Sequence, residues 1–433
     1  MAAEQGPMSG FRDLLADQMI PRDQVLNTIK GVYESYGFVP LKTPALERYE
    51  TLTGKYGEEG ENLMYHFTDH GGRHVAMRYD QTVPLARVVA QHSGKIPDPY
   101  KRYALADVWR GERAQAGRYR EFMQFDADIV GSSSPLADAE IVGMMSDTMS
   151  ALGLNAIIRV NDRRLLDGLA QECGIDDEKG FRKLVGAIDK VEKIGKVAVL
   201  EEVKENFTED ASAVVDKYLS AEGQGSEKLI QVSELLDNPT AQEGVSSLEK
   251  IFNTLNGAGY TDESIVFDPS IARGLDYYTA TVYETNLVDL PEIGSVCSGG
   301  RFDNLIKDLG GPDKPAVGTS VGVDRLLEAM RQLKLLESLK TKTEVYIVNV
   351  DPTMDEERFK LAKNLRDAGI STELWYDDSR LKKQYKNIDS LGITKVVILG
   401  GNEASKGVVS LKDLTTGEQK ELTQDELIEL LKT

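Results

Sequence analysis

The sequence predicts an α+β fold built on an antiparallel sheet flanked by helices, with a helical insertion and a C-terminal α/β domain. Hairpin-like strand pairs recur on both sides of residues 176–255, whereas a doubly wound fold would alternate strands with helices. The stretch 176–255 itself is acidic and helical in pattern, and residues 344–433 alternate strand and helix patterns. We therefore expect a main domain formed by residues 1–175 and 256–336, interrupted by the insertion 176–255 and followed by a domain at 344–433.

Apolar spacing and turn residues place the individual elements. In the main domain we expect a helix at 22–36, an extended edge segment at 38–44, a hairpin at 63–79, strands at 102–110, 119–130, 265–268, 277–285 and 294–299, and a helix at 323–336. In the C-terminal domain we expect strands at 345–350, 371–376 and 396–399, with helices at 354–368 and 381–391.

Length and composition are typical of a globular protein with several domains. The 433 residues correspond to roughly three domains. No run approaches the roughly 18 consecutive apolar residues that a membrane span needs, and the N-terminus lacks an apolar signal core. We therefore expect a cytoplasmic protein with no membrane partner. Cys173 and Cys297 cannot supply a disulfide framework or a cysteine-rich zinc site.

Charge is distributed unevenly along the chain. The net charge of −20 argues against general attraction to nucleic acid, and we expect no DNA partner. Residues 101–120, however, hold six basic side chains and two acidic ones. A basic region on an acidic body fits a small polyanion bound in a pocket, and it equally fits a solvated arginine-rich hairpin.

The strand at 119–130 separates apolar from polar side chains by alternation. One face carries Met123, Phe125, Ala127 and Ile129, and the other carries Arg120, Phe122, Gln124, Asp126 and Asp128. The mixed polar face fits the floor of a small-molecule pocket, in which a ring stacks and carboxylates and amides orient the ligand. A solvated sheet face would show the same alternation.

Arginines cluster around the preceding hairpin. Alternation puts Arg110 and Glu112 on one face, and Arg118 adds a cation beyond the turn. An arginine fork binds a phosphate through two hydrogen bonds and stays charged at any working pH. These residues favour a phosphate-ester substrate over surface ion pairing.

Two later segments add candidate pocket residues. Tyr277 and Tyr278 are consecutive, so strand alternation would direct one hydroxyl to each sheet face, and a tyrosine-rich core strand is the alternative. Gly318 and Gly322 would let a ligand lie against their strand. Arg325 opens the next helix, where it would cover a flat ring.

Several other chemistries lack their motifs. The sequence contains neither G-x-x-x-x-G-K-[ST] nor a strand-linked G-x-G-x-x-G, so it predicts no P-loop and no dinucleotide site. His66, His70 and His74 would align on a helix. Asp69 and the glycines at 71 and 72 indicate a turn there instead. We therefore expect no metal site from protein histidines or cysteines, and no prosthetic group.

In this order, the segments resemble the class II aminoacyl-tRNA synthetases over nearly the whole chain. The helix and strand that end at Pro44 resemble motif 1, which builds the dimer interface of that family. Residues 110–122 resemble motif 2, and residues 318–325 resemble motif 3, with Asp324 where glutamate is usual. The resemblance implies a fold of the class II synthetase type and a homodimer.

Two further segments resemble the histidine-specific motifs of the histidyl-tRNA synthetase family. They are 273–278 (RGLDYY) and 298–303 (SGGRFD), the second of which usually has tyrosine at the position of Phe302. Residues 344–433 resemble the anticodon-binding domain of that family. The resemblance implies L-histidine, ATP and tRNA(His) as partners.

The resemblance also implies a role for each matched residue. Arg110 and Arg273 would be catalytic, the first by binding the α-phosphate and the second by stabilising its developing charge. The implied histidine-binding set is Asp80, Thr82, Gln124, Asp128, Tyr277 and Tyr278; the ATP-binding set is Arg110, Glu112, Arg118, Phe122 and Arg325; and Gln115 would contact the tRNA acceptor end. Within the histidine set, Asp128 and Tyr278 would bind the imidazole nitrogens.

The implied reaction is ATP-dependent ligation of L-histidine to tRNA(His) through a histidyl-adenylate, releasing pyrophosphate and AMP, with Mg²⁺ accompanying ATP. A carboxylate needs no base to activate it, so positioning and charge stabilisation can supply the catalysis. One rival is the non-catalytic paralogue that regulates ATP phosphoribosyltransferase, which usually lacks the anticodon-binding domain. The other is a synthetase for a different amino acid, which the segment 273–278 disfavours.

Overall fold

The computed structural model describes residues 6–113, 117–223, 225–272 and 277–432. Contacts divide the chain into two compact units: the first holds the N-terminal segment to Arg12 together with 25–335, and the second holds 13–24 with 336–433. Residues 176–255 belong to the same unit as the main sheet, so the predicted boundaries of the insertion stay a prediction. Among the described helices, none is long and apolar enough to cross a membrane.

The helices and strands are numbered in chain order. Helices α1–α18 span Ala16–Ser35, Tyr49–Leu52, Gly57–Asn62, Thr82–His92, Pro135–Ala151, Arg163–Glu172, Glu178–Ile188, Val191–Ile194, Lys196–Asn206, Glu209–Leu219, Gly225–Leu235, Pro239–Gly257, Leu305–Asp308, Val323–Gln332, Asp355–Asp367, Leu381–Leu391, Gly401–Lys406 and Gln424–Lys432. Strands β1–β16 span Val39–Pro40, Leu46–Arg48, His66–Thr68, His74–Met77, Tyr100–Trp109, Glu121–Val130, Ala156–Asp162, Ile265–Phe267, Thr281–Leu287, Cys297–Arg301, Ala316–Gly322, Val345–Val348, Thr372–Leu374, Lys395–Ile398, Val409–Asp413 and Gln419–Leu422.

The main sheet of the first unit runs, through the described residues, in the order β1-β5-β6-β11-β10-β9-β7-β8. Neighbouring strands are antiparallel except at the two edges, where β1 pairs parallel with β5 and β8 pairs parallel with β7. Strands β2, β4 and β3 form a small second sheet, which contains the predicted hairpin. The prediction of an antiparallel sheet flanked by helices is confirmed.

Strand β6 shows why this sheet carries a site. Phe125 and Ala127 are buried on its apolar face, and the ring of Tyr33 from α1 packs edge-on against Phe125 with ring centroids 5.0 Å apart. Asp126 and Asp128 on the other face are buried as well, each with 2% of its surface exposed. The polar face is therefore not a solvated one, and of the two interpretations only the pocket floor is left.

Helices fill the stretch between β7 and β8. Asn238 caps the N-terminus of α12, and its side chain accepts a hydrogen bond from the Ala241 amide at 3.0 Å. The same side chain donates to the Gly168 carbonyl of α6 at 3.1 Å. A Cβ on Gly168 would lie 2.6 Å from the Ala241 methyl group, so glycine allows α6 and α12 to pack closely. The helical region is thus anchored to the helix that directly follows β7.

The second unit has its own five-stranded sheet in the order β13-β12-β14-β15-β16. Strands β13, β12 and β14 are parallel, and β15 and β16 add an antiparallel hairpin at one edge. Its core packs buried residues of β12 and β14 against α15, among them Val345, Ile347, Leu361, Leu365 and Val397. This confirms the predicted α/β domain, in which the sequence pattern missed the last two strands.

Candidate functional site

A cavity of about 340 Å³ lies beside β6, β10 and β11. Its described lining includes Asp80, Thr82, Arg110, Glu112, Arg118, Phe122, Gln124, Asp126, Tyr277, Tyr278 and Arg325. We call Asp80, Gln124, Asp126, Tyr277 and Tyr278 the acidic end, and Glu112, Arg118, Phe122 and Arg325 the arginine end. The fold thus brings together nearly every residue that the sequence predicted for the site, from segments more than 200 positions apart.

Asp80 is a buried carboxylate held by four donors. It lies just before α4, where its Oδ1 accepts hydrogen bonds from the backbone amides of Thr82 and Val83 at 3.1 and 3.2 Å, as an N-cap side chain does. The hydroxyls of Tyr56 and Tyr277 donate to its two oxygens, each at 2.9 Å. These bonds fix the orientation of a negative charge at the acidic end, which suits it to an ammonium group.

The two consecutive tyrosines do not divide between sheet faces as strand alternation predicts. Both precede β9, which begins at Thr281, and both line the cavity. That expectation was wrong because alternation orders side chains only within a strand. The Tyr277 ring packs edge-on against Phe302 with centroids 6.0 Å apart, and Gly300 leaves room for the Tyr278 ring, which would lie 2.9 Å from a Cβ there.

The floor of the acidic end is formed by Gln124 and Asp126, which are adjacent on one face of β6. Both side chains are at least nine-tenths buried. Burial raises the pKa of Asp126 to about 6, against the opposing charges of Arg102 and Arg110. Asp126 is on the polar face that alternation predicted, and alternation is the signal that would have added it to the site.

Asp128 lies on the same face of β6 but is not among the residues that line the cavity. It forms an ion pair with Arg102, whose Nη2 lies 2.7 Å from the Asp128 Oδ2. Burial raises the pKa of Asp128 to about 7, although Arg102 lowers it. The space over Gly318 is taken by this carboxylate, since a Cβ there would lie 1.9 Å from its Oδ1. The expected close approach of a ligand to Gly318 was therefore wrong, whereas Gly322 lines the cavity.

Arg110 lies between the two ends of the cavity. Its Nε donates to the Tyr79 carbonyl at 3.1 Å, and its guanidinium lies 4.4 Å from the Tyr79 ring centroid and 5.2 Å from that of Phe122. Its charge lowers the pKa of Asp126 on one side and that of Arg325 on the other. A phosphate joined to a group at the acidic end would meet this guanidinium.

At the arginine end two cations lie close together, and the carboxylates of Glu112 and Glu284 partly compensate them. Arg325 opens α14 and donates from Nη1 to the Ser295 carbonyl at 2.6 Å. Burial and the charge of Arg118 lower the pKa of Arg325. Arg118 is exposed on the loop before β6. Clustered cations of this kind suit a polyphosphate, whose charge would relieve their mutual repulsion.

Asp324, the residue that departs from motif 3, joins three segments next to the arginine end. It accepts a 2.8 Å hydrogen bond from the Met123 amide of β6 and forms an ion pair with Arg12. The Arg12 guanidinium stacks 3.4 Å from the ring centroid of Tyr119. Sequence reasoning missed Arg12 and Tyr56, because neither has a local pattern that relates it to the distant residue it contacts.

Among the described residues that the sequence singled out, Phe302, His66 and His74 do not line the cavity. Phe302, the second departure from the family pattern, is fully buried in the core. Arg273 and Gln115 lie outside the described residues, so their predicted roles stay predictions.

His66 and His74 face each other across β3 and β4, with Nδ1 and Nε2 3.0 Å apart, and the turn between them is confirmed. In the described ranges, no group of three histidine, cysteine or acidic side chains is placed to hold a metal ion.

Comparisons with known proteins identify the family of the chain. The family model described as histidyl-tRNA synthetase matches residues 10–326, and the model described as anticodon binding domain matches residues 344–433. The chain belongs to the histidyl-tRNA synthetase family. A histidine–tRNA ligase of Rhodopirellula baltica is 41% identical over 98% of each chain. One of Gloeobacter violaceus is 40% identical over 97% of this chain and 96% of its own.

Solved structures of the histidyl-tRNA synthetase family show the same fold. The histidyl-tRNA synthetase from Nostoc sp. PCC 7120 superposes with a TM-score of 0.86 at 33% identity, over 99% of each chain. A structure from Bacillus halodurans C, described as an ATP phosphoribosyltransferase regulatory subunit/histidyl-tRNA synthetase, superposes with a TM-score of 0.74 at 21% identity, over 89% of this chain and 96% of its own. At that identity the second likeness shows the fold alone. The class II synthetase fold predicted from the sequence is confirmed.

Proposed function

We propose that the chain is a histidine–tRNA ligase, which joins L-histidine to tRNA(His) at the expense of ATP. The observation that carries this proposal is a single cavity with a fixed carboxylate, Asp80, at one end and clustered arginines at the other. An amino acid and a nucleoside triphosphate are the pair of substrates that these two ends fit. Membership of the histidyl-tRNA synthetase family supports histidine as the amino acid.

The first step is the attack of a histidine carboxylate oxygen on the α-phosphorus of ATP. An O–P bond forms, the bond to the β,γ-pyrophosphate breaks, and pyrophosphate leaves with its electron pair. Arg110 holds the α-phosphate between the two ends, and Arg273 stabilises the charge that develops there. Because the nucleophile is already an anion, the residues contribute orientation and charge and need not remove a proton.

The second step transfers the histidyl group to tRNA. A hydroxyl of the terminal ribose attacks the carbonyl carbon of the adenylate, an ester forms, and AMP leaves. Gln115 would approach the acceptor end of the tRNA in this step. The second unit, matched by the anticodon binding domain model, would bind the other end of the same tRNA(His).

Substrate contacts follow from the lining residues. Asp80, Thr82 and Gln124 hold the α-amino group of histidine, with Tyr277 fixing Asp80 through its hydroxyl. Tyr278 reaches the imidazole, for which the resemblance also implies Asp128. Glu112, Arg118, Phe122 and Arg325 surround ATP, with Phe122 and Arg325 next to the adenine ring.

Mg²⁺ would accompany ATP. Protein Mg²⁺ sites combine one or two carboxylates with substrate phosphates. Glu112 and Glu284 line the cavity, and both act electrostatically on Arg325, so these carboxylates fit the ion. The metal would neutralise phosphate charge as pyrophosphate leaves.

The same proposal covers the assembly and location of the chain. A homodimer through the motif 1 segment and action in the cytoplasm, with no DNA partner, follow from the family pattern. The regulatory paralogue is the second candidate. It is disfavoured because Arg110, Arg118 and Arg325 are all retained around one cavity, and a purely regulatory subunit does not need them.

The test is histidine-dependent exchange of labelled pyrophosphate into ATP, run with each of the twenty amino acids. Exchange with histidine alone is expected. No exchange with any amino acid would favour the regulatory paralogue, and exchange with a different amino acid would refute the imidazole pocket. Charging of tRNA(His) transcript, followed as acid-precipitable histidine, then tests the second step.

A further inference from the structure

Asp324 connects the two side chains that the proposed function places next to the adenine ring. It directly precedes Arg325 in α14, and its Oδ2 accepts a hydrogen bond from the Met123 amide of β6 at 2.8 Å. Met123 in turn directly follows Phe122. One carboxylate thus ties the start of the strand that carries Phe122 to the start of the helix that carries Arg325, and both of these side chains line the cavity.

Arg12 supplies a positive charge to this carboxylate from 312 positions earlier in the chain. Its guanidinium forms an ion pair with the Asp324 Oδ1, so two different segments use the two oxygens of Asp324. The side chain of Asp324 is 4% exposed and that of Arg12 is 28% exposed. Removing the cationic partner of a buried carboxylate is strongly unfavourable. The position of Asp324 between strand and helix therefore depends on Arg12.

Residues 9–12, which we call the strap, are held against the loop before β6. The Gly10 carbonyl accepts a hydrogen bond from the Arg120 amide at 2.9 Å, and the Ser9 carbonyl accepts one from the Arg120 Nη1 at 3.3 Å. Gly10 has a φ of +87°, and a Cβ there would lie 2.7 Å from the Arg120 Cγ. Glycine therefore allows the strap to lie directly on the Arg120 side chain, which brings Arg12 to the arginine end.

Arg12 also contacts a residue that lines the cavity. Its guanidinium lies 3.4 Å from the ring centroid of Tyr119, within the range of a cation–π interaction. Tyr119 lines the cavity and directly follows Arg118 of the arginine end. Arg12 itself does not line the cavity. It thus joins the loop before β6, the start of β6 and the start of α14 from outside the site.

We propose that Arg12 is a positioning residue for ATP, which together with Asp324 holds Phe122 and Arg325 in place for the adenine ring. The inference rests on the proposed function and adds a residue to its ATP site. Side chains that must be ordered when a ligand binds reduce its affinity, so a pair that is already fixed binds a flat ring more tightly. Motif 3 usually has glutamate at position 324, and the long Arg12 side chain reaches the shorter aspartate from the strap.

The first test measures the KM values for ATP and for histidine in pyrophosphate exchange. For Arg12→Met we expect the KM for ATP to rise about 5- to 50-fold, with the KM for histidine within about twofold. Arg12→Lys retains a positive charge and should give an intermediate KM for ATP. The matched control is Arg164→Met, because Arg164 is 24% exposed and pairs with the buried Asp162, and neither residue lines the cavity. It should leave both KM values within about twofold.

A double-mutant cycle tests whether Arg12 acts through Asp324. Asp324→Asn keeps an oxygen that accepts a hydrogen bond from the Met123 amide, but it leaves no unpaired charge when Arg12 is absent. In the Arg12→Met background, Asp324→Asn should therefore lower the KM for ATP by about two- to tenfold. Single effects that simply multiply in the double variant would overturn the inference.

Calorimetric titration with ATP and with adenosine separates this inference from the proposed function, because binding requires no exchange reaction. Adenosine has the base but no phosphate, so its Kd should rise in Arg12→Met by a factor similar to that for ATP. An unchanged Kd for adenosine would overturn the inference. A wild-type chain that exchanges no pyrophosphate would refute the proposed function, and the titrations would still decide the role of Arg12. Circular dichroism checks the folding of each variant, and Arg12→Lys replaces Arg12→Met if the latter does not fold.

Discussion

The acidic end and the arginine end of the cavity hold their charges in different ways. At the acidic end, Asp80 accepts four hydrogen bonds, and the neighbouring Asp128 is paired with a fully buried Arg102. At the arginine end, Arg118 is exposed, and Arg325 has its pKa lowered by burial and by a like charge. One end holds its carboxylates with hydrogen bonds and a buried ion pair, whereas at the other end two arginines repel each other and are only partly compensated by Glu112 and Glu284.

This difference matches what each end has to recognise. An imidazole is distinguished from other side chains by donors and acceptors in fixed positions, so its site must be built before the ligand arrives. A polyphosphate is recognised chiefly by charge, and it brings the neutralising groups itself. Substitutions at the acidic end should therefore affect stability and the KM for histidine, and substitutions at the arginine end should affect ATP and the rate.

The largest expected effect is on stability. Arg102→Met leaves the Asp128 carboxylate buried without its partner, so we expect the free energy of unfolding to fall by about 3–5 kcal/mol. The matched control Arg118→Met, at the exposed arginine, should change it by less than about 0.5 kcal/mol. Urea unfolding followed by circular dichroism measures both. Equal decreases in the free energy of unfolding of the two variants would contradict this difference between the ends of the cavity.

The next effect is on the rate of adenylate formation. Arg110→Ala removes the guanidinium between the two ends, and we expect kcat to fall by about 10²- to 10³-fold, as loss of a preorganised charge donor does elsewhere. Arg273→Ala should lower kcat by on the order of 10²-fold. Arg110→Lys keeps the charge but loses the planar guanidinium, so its kcat should lie between those of wild type and Arg110→Ala. Rapid-quench single-turnover assays measure the rate, and an unchanged rate in Arg110→Ala would contradict its placement at the α-phosphate.

A smaller effect is expected on histidine binding. Asp80→Asn replaces a charged acceptor at the α-amino group by a neutral one, so the KM for histidine should rise about 10- to 100-fold while the KM for ATP stays within about twofold. Tyr56→Phe, which removes one of the four donors to Asp80, should raise the KM for histidine by no more than about tenfold. Pyrophosphate exchange at varied histidine and ATP gives all four constants. A parallel rise in both KM values would mean that the ends of the cavity are not independent.

The smallest effect is expected at the aromatic residue of the arginine end. Phe122→Leu keeps an apolar side chain but removes the ring that stacks with a flat base, a contact worth about 0.5–1.5 kcal/mol. The KM for ATP should therefore rise about 2- to 12-fold, and the KM for histidine should not change. Replacing ATP by a triphosphate with a smaller base should reduce the ratio of the nucleotide KM of Phe122→Leu to that of wild type. An unchanged ratio would contradict stacking of Phe122 on the base.

Much of the fold could be predicted because its signals are local. Alternation along β6 placed Gln124, Asp126 and Asp128 on one face, and the structure confirms that face as a pocket floor. The periodicity of apolar residues also predicted an antiparallel sheet before residue 336 and an α/β domain after it, and both sheets are present. One failure was local as well, since Tyr277 and Tyr278 precede the strand that the pattern assigned to them, whereas the failure at Gly318 came from Asp128 on the neighbouring strand.

The sequence by itself determined which residue types meet at the site: tyrosines, carboxylates and arginines in an order that resembles one family. Only the tertiary structure decided which carboxylate reaches the cavity. Asp126 and Asp128 are equivalent in sequence pattern, and they differ because Arg102 and Gly318 lie opposite the second of them on the neighbouring strands. The Asp128–Arg102 ion pair forms because strand order places β5 beside β6. Side-chain alternation within one strand does not predict which strand lies beside it.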